Sequence, residues 1–160
     1  MPRLPFASHT ATPLINILSH APEVAKRWRE TNEFLRMGGQ IDPDLKEEVR
    51  RAVAQEAGCR FCATVSGAPK GHYDDVRVAA AVRFATVVAS HPKGIADSDF
   101  DVLKEHFSLA EIVELLAWIC YNYGAEMLGA MLDLDDASEA EQKFYASYLE
   151  RLKKRANIAA

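Results

Sequence analysis

Two cysteines three residues apart, Cys59 and Cys62 in QEAGCRFCATVSG, are the side chains best suited to chemistry in this sequence. On one helical turn, side chains at that spacing share a face. Their sulfurs can therefore close a disulfide with little backbone movement. Gly58 stands directly before them; if it ends one helix and Cys59 opens the next, free N–H groups and the helix dipole favour a thiolate over a thiol. The motif reads as redox chemistry at sulfur. Half a zinc site is the competing reading, but zinc needs further ligands in a second C-x-x-C or a spaced His pair. Neither is present, because Cys120 stands alone and His72, His91 and His106 are widely scattered. No metal or other cofactor is called for. MPRLPFASHT has no apolar secretion segment, so a cytoplasmic protein with a working thiol pair is expected, not a structural disulfide.

The elements that must position this pair all carry helical signatures, and no segment alternates with period two for long enough to make a strand. Pro13 and Pro22 fit first helical turns, and the segment from about Glu23 to Met37 stops at Gly38-Gly39. Asp42 caps a helix that has Pro43 at its first position and the apolar pattern Leu45, Val49, Ala52, Val53 running to Gly58. After the cysteine turn, Gly67, Pro69 and Gly71 break the chain. Asp74 or Asp75 opens a long helix through Val88, closed by HPKG at 91–94, and Asp97 caps a short one ending near Phe107. Ser108 with Glu111 and Ser138 with Glu141 form capping boxes for a long apolar helix and for a last helix at about 138–157. The expectation is an all-α fold of seven or eight helices in a single domain over residues 1–160.

At 160 residues the chain can bury a proper core, and its net charge of -4 offers no basic surface for nucleic acid. RLKKR at 151–155 suits the basic last turn of a helix. The apolar stretch 112–134 is interrupted by Glu114, Asn122, Glu126 and Asp133, so it is read as a buried helix and no membrane partner is expected. It is apolar nearly all the way round, while Gly124 and Gly129 admit a close backbone. That surplus of apolar surface calls for a homo-oligomer. Cys120 in this helix reads as a small core hydrophobe. Trp118, Tyr121 and Tyr123 read as packing residues before pocket walls.

A Glu-bearing helix feeding Gly-Cys-x-x-Cys, with Glu47 twelve positions before Cys59, resembles the carboxymuconolactone decarboxylase-like family and within it the alkylhydroperoxidase D (AhpD-like) branch. The resemblance covers about residues 12–134. It implies an AhpD-like helical domain that assembles as a trimer or hexamer. It also implies a thiol peroxidase in which Cys62 attacks a hydroperoxide, Cys59 resolves the sulfenic acid to a disulfide, and an external dithiol regenerates the pair. Glu47 and a histidine one turn beyond Cys62 would relay the proton. Ser66 occupies that histidine's position here, and a hydroxyl is no base near neutral pH. Either Glu47 acts alone or through water, or His72 folds back from GAPKGH, or activity is reduced. From the residues alone Glu47 reads as a surface acid near a helix start, and Glu48 and Glu56 are equally placed.

Three functions follow in order. The first is a cofactor-free, thiol-dependent peroxidase or disulfide oxidoreductase. The second is a family member without catalysis, serving as a redox sensor or binding module. The third is the family's lyase chemistry, which has no need of a cysteine pair.

Overall fold

Prolines and capping side chains divide the chain into eight helices in the computed structural model, which describes residues 2–159. They are α1 (Pro13–Leu18), α2 (Pro22–Met37), α3 (Pro43–Glu56), α4 (Arg60–Thr64), α5 (Val76–Ser90), α6 (Asp97–His106), α7 (Leu109–Met131) and α8 (Glu139–Ala159). No strand occurs among the described residues. The start signals act as their chemistry requires. Asp42 accepts from the amides of Asp44 and Leu45, with Pro43 at the first helical position of α3. Both capping boxes form: Ser108 and Glu111 exchange side chain–backbone hydrogen bonds, and so do Ser138 and Glu141.

Two boundaries differ from the expectation. Asp97 is the first residue of α6, and the cap comes from Asp99, which accepts from the Ala96 amide at 2.9 Å. Helix α3 ends at Glu56, one residue before the cap Ala57, and Gly58 then turns with φ +74°. Only a residue without Cβ holds that left-handed conformation at little cost, so Gly58 redirects the chain into α4.

Helix α3 is the centre of the packing. It lies against α5 and α7, and α4 is held between α3 and α7. The larger apolar cluster joins Leu45, Val49 and Val53 of α3 to Phe84 and Ala85 of α5, Leu103 of α6 and Leu115, Trp118 and Ile119 of α7. A smaller one surrounds the cysteine turn, with Ile17, Cys59, Phe61, Val65, Leu132, Leu134 and Tyr145. Burial on this scale is the main favourable term in folding. One fixed polar link ties the helices further. Lys46, wholly buried, donates to the carbonyls of Leu35 and Gly38 and pairs with Glu114, and Trp118 Nε1 donates to the Lys46 carbonyl at 2.7 Å.

Helix α7 buries Ile112, Leu115, Trp118, Ile119, Asn122, Glu126 and Gly129 on one face. The opposite face leaves Leu109, Val113, Cys120, Gly124, Met127 and Met131 exposed. Cys120 is therefore no core residue, contrary to expectation. Helical periodicity places it with Val113, Gly124 and Met127, away from α3 and α5. No helix among the described residues is long and apolar enough to cross a membrane.

Candidate active site

The two cysteines are joined as a disulfide, with their Cα atoms 5.2 Å apart. Cys59 is the N-cap of α4 and its Sγ accepts from the Cys62 amide at 3.2 Å. Their surroundings differ. Cys59 is 1% exposed and sealed in the smaller apolar cluster, whereas Cys62 is partly buried and lines a cavity of about 270 Å³. Its walls include the aromatic rings of Trp28, Phe61, Tyr121, Phe144, Tyr145 and Tyr148 and the charged groups of Arg29, Glu33, Arg36 and Arg50. Tyr121 is thus a wall residue, whereas Trp118 is wholly buried in the core.

Against the sulfurs lies Gly129 of α7. A Cβ there would stand 2.5 Å from Cys59 Sγ and 3.3 Å from Cys62 Sγ. The absence of a side chain at Gly129 is what admits the pair. Gly124, grouped with it on sequence grounds, faces open space.

Glu47 is the anchor of the polar side of the site. It is 8% exposed, so it is not the surface acid that its position near a helix start implied. Arg36 Nη1 donates to its Oε2 at 2.6 Å, Arg50 Nε to its Oε1 at 3.1 Å, Tyr145 Oη to Oε2 at 3.1 Å and Ser66 Oγ to Oε1 at 2.9 Å. Burial works to raise the Glu47 pKa. The adjacent Arg50 and Arg36 guanidiniums, with hydrogen bonds from Arg36 and Ser66, outweigh it and hold the carboxyl at about 2. The carboxyl is therefore ionised near neutral pH and fixes two buried guanidiniums.

Arg50 carries that order to the cysteines. Its Nη1 donates to the Cys62 carbonyl at 3.2 Å and its Nη2 to Ser66 Oγ. Ser66 lies just past the end of α4, so the short helix does not continue beneath it. It nevertheless joins Glu47 to Arg50. Arg36 also donates to Tyr145 Oη at 3.0 Å and stands 4.9 Å from the Trp118 ring centroid.

A second carboxylate closes the site. Glu126 is 3% exposed and lines the same cavity, one helical turn before Gly129. Its Oε1 is 3.8 Å from Arg50 Nη1, and neither oxygen hydrogen-bonds to a protein group among the described residues. Burial, reinforced by the Glu47 charge and only partly offset by Arg50, pushes its pKa up to about 8.

Of the remaining sequence candidates, His72 and Glu48 line a second cavity that Glu47 also borders. His72 is highly exposed, with Nε2 3.4 Å from Asp74, and makes no hydrogen bond to Glu47, Ser66 or the cysteines. Glu48 is buried, accepting from Tyr73 Oη at 2.6 Å and pairing with Arg51, and Glu56 is exposed. No group of three or more metal-ligating acids, histidines or cysteines occurs among the described residues.

Arg36, Arg50, Tyr145, Glu126 and Gly129 were not singled out as site residues from sequence. The Glu47–Arg50 spacing is a helical ion-pair signal, and Glu126 is an acid inside an apolar run. Nothing local marks Arg36 or Tyr145.

No family model matches the sequence, and no characterised relative matches it either. The fold is similar to the crystal structure of the debrominase Bmp8 in its apo form, with a TM-score of 0.69 and 19% identity over 81% of each chain. It is equally similar, at TM-score 0.69 and 17% identity, to a cysteine-to-alanine variant of that debrominase in complex with 2,3,4-tribromopyrrole, covering 87% of this chain and 81% of the other. At these identities the similarity shows a shared fold.

Gly129→Ala separates helix propensity from the close approach of the sulfurs. Propensity alone predicts a gain of roughly 1 kcal/mol, whereas overpacking of the sulfurs predicts a loss of roughly 1–3 kcal/mol. Urea unfolding of the oxidised protein is expected to show the loss; a stabilised variant would mean that α7 has room there.

Glu47→Gln leaves Arg36 and Arg50 uncompensated and is expected to cost roughly 3–5 kcal/mol at neutral pH. The Glu47 pKa is depressed on folding, so its contribution is present above the unfolded value of about 4.3 and is lost as pH falls toward about 2. The stability gap between wild type and variant should therefore shrink across that window. A gap that stays constant with pH would contradict the assignment.

Proposed function

We propose that the protein is a thiol-dependent two-electron reductase whose substrate meets Cys62 in the aromatic cavity, with organic hydroperoxides as the substrate class. The observation that carries this reading is the asymmetry of the pair, since Cys62 lines the cavity and Cys59 is sealed behind it. An attacking sulfur needs access, and a resolving sulfur needs only its partner.

The electrostatics fit a nucleophile at Cys62. Arg36 and Arg50 bring two positive charges and Glu47 one negative, so the wall beside Cys62 has a positive excess when Glu126 is protonated. That excess favours a thiolate. The Cys62 thiolate attacks the terminal peroxide oxygen, the O–O bond breaks, and Cys62 becomes a sulfenic acid while an alkoxide leaves and takes up a proton. The Cys59 thiol then displaces water from the sulfenic acid to form the disulfide. An external dithiol reduces it, becoming oxidised in turn. In this reading Ser66 and Glu47 position Arg50, and the proton transfer expected of a histidine at 66 is carried elsewhere.

A second substrate class has specific support, namely a halogenated heteroaromatic ring. The fold neighbour is named a debrominase, one of its structures holds 2,3,4-tribromopyrrole, and the cavity here is walled by aromatic rings. The same pair supplies the two electrons: the Cys62 thiolate takes bromine from a ring carbon that gains a proton, and Cys59 then displaces bromide to give the same disulfide.

The reduced protein is expected to consume cumene hydroperoxide with formation of one Cys59–Cys62 disulfide per peroxide. Cys62→Ser should abolish the reaction. Cys59→Ser should retain the first turnover and leave a sulfenic acid at Cys62 that dimedone traps. Trapping at Cys59 instead would reverse the roles. Inertness toward hydroperoxides, together with debromination of 2,3,4-tribromopyrrole, would select the second class. Inertness toward both would leave the pair to redox sensing.

The exposed apolar face of α7 is the contact in a homo-oligomer, a trimer or hexamer. Leu109, Val113, Met127 and Met131 run along it and are 44–75% exposed. Light scattering should give a mass several times 17.8 kDa, and Val113→Glu with Met127→Glu should release a folded monomer. A wild-type mass of one chain would contradict this.

A further inference from the structure

Glu126 is a buried carboxyl group that the arginine network approaches but leaves without a hydrogen bond. It sits on α7, facing inward with Asn122 and Gly129, on the helix face that packs against the sulfurs. Its oxygens take no hydrogen bond from any described protein group, although Arg50 Nη1 is only 3.8 Å away. A buried acid without a hydrogen bond costs stability, so such a group persists where something else uses it. What it borders is the cavity onto which Cys62 opens.

We infer that Glu126 is the acid that protonates the leaving group of the substrate attacked by Cys62, an inference that rests on the reductase reading above. When the Cys62 thiolate takes the terminal oxygen of an alkyl hydroperoxide, the O–O bond breaks and its electron pair leaves on the alkoxide. Glu126 gives its proton to that oxygen, releasing the alcohol and becoming a carboxylate. One negative charge vanishes from Cys62 as another appears on Glu126. The charge facing Arg50 is thereby conserved through the step. Disulfide formation consumes the Cys59 thiol and the sulfenic acid and releases water. Glu126 takes a proton from solvent while the pair is a disulfide; reduction by the external dithiol then supplies two electrons and two protons, one proton going to the Cys59 thiol and one to solvent, with Cys62 again a thiolate.

Two carboxyls thus divide the work according to their surroundings. Glu47 is ringed by Arg36, Arg50, Tyr145 and Ser66 and stays ionised. Glu126 meets one guanidinium without a hydrogen bond, in a cavity whose aromatic and apolar walls also carry Arg29, Glu33, Arg36 and Asn122. Burial pushes it up to about 8, so it holds a proton at neutral pH.

The test varies the leaving group. Reduced wild type, Glu126→Gln and Glu126→Asp are mixed with tert-butyl hydroperoxide, with cumene hydroperoxide and with peracetic acid, and Cys62 oxidation is followed by stopped flow. Peracetic acid expels a carboxylate that needs no proton, whereas the alkyl hydroperoxides expel basic alkoxides. Glu126→Gln, of the same shape, is expected to slow the alkyl hydroperoxides about 10²-fold while the peracid stays within a few-fold of wild type. Glu126→Asp should recover part of the lost rate. Equal slowing of all three oxidants would assign Glu126 a structural role and overturn the inference, as would unchanged rates. Inertness of the wild type toward every oxidant would overturn the hydroperoxide reading, and the acid with it, and is distinguished because the wild type itself fails.

Discussion

The buried carboxylate of Glu47, held between the guanidiniums of Arg36 and Arg50, is the interaction on which the site depends. It joins α2 to α3, and through Tyr145 and Ser66 it reaches α8 and the segment beyond α4. An isolated charge in this position would be prohibitively desolvated. Arg51 Nε also approaches the carboxylate at 3.6 Å, so Glu47 is faced by more positive charge than it carries. In the proposed chemistry that excess favours the Cys62 thiolate first and the Glu126 carboxylate as the leaving group departs. Structural need and reactivity are then two views of one charge balance.

The cysteine turn is fitted into this frame by shape as much as by charge. Gly58 turns the chain so that α4 begins at once, and α4 is only a single turn long. It is held by Arg50 at the Cys62 carbonyl on one side and by α7 on the other. Gly129 supplies the space for the sulfurs, and the small apolar cluster closes over Cys59. Chemical identity within the pair follows from this packing. Equivalent as sequence, the two sulfurs differ in access because only Cys62 reaches the aromatic cavity.

Helix α7 serves three surroundings at once. Trp118 and Leu115 fill the main core, Glu126 and Gly129 face the site, and Val113, Met127 and Met131 point outward. An apolar composition around the whole circumference is a consequence of those demands. A polar outer face would be the ordinary solution for a helix that ends at water. The exposed stripe also explains how Cys120 can be in an apolar helix and yet outside the core.

Local chemistry was legible in the sequence: the helical class, both capping boxes, the break at Gly58 and the disulfide-competent spacing of Cys59 and Cys62. Each depends on residues within a few positions of one another, so period and type suffice to read them. The AhpD-like resemblance singled out Glu47 and Ser66, and the fold brings both to Arg50. Their physical roles were not legible. A glutamate near a helix start looks like a surface acid until Arg36, eleven positions away, and Tyr145, ninety-eight positions away, enclose it. His72 carries suitable chemistry but sits on an exposed loop beside Asp74. The proton affinity of Glu126, the clearance at Gly129 and the accessibility of Cys62 were decided by tertiary structure alone. Burial and charge proximity are properties of distant segments brought together, and no local pattern encodes them.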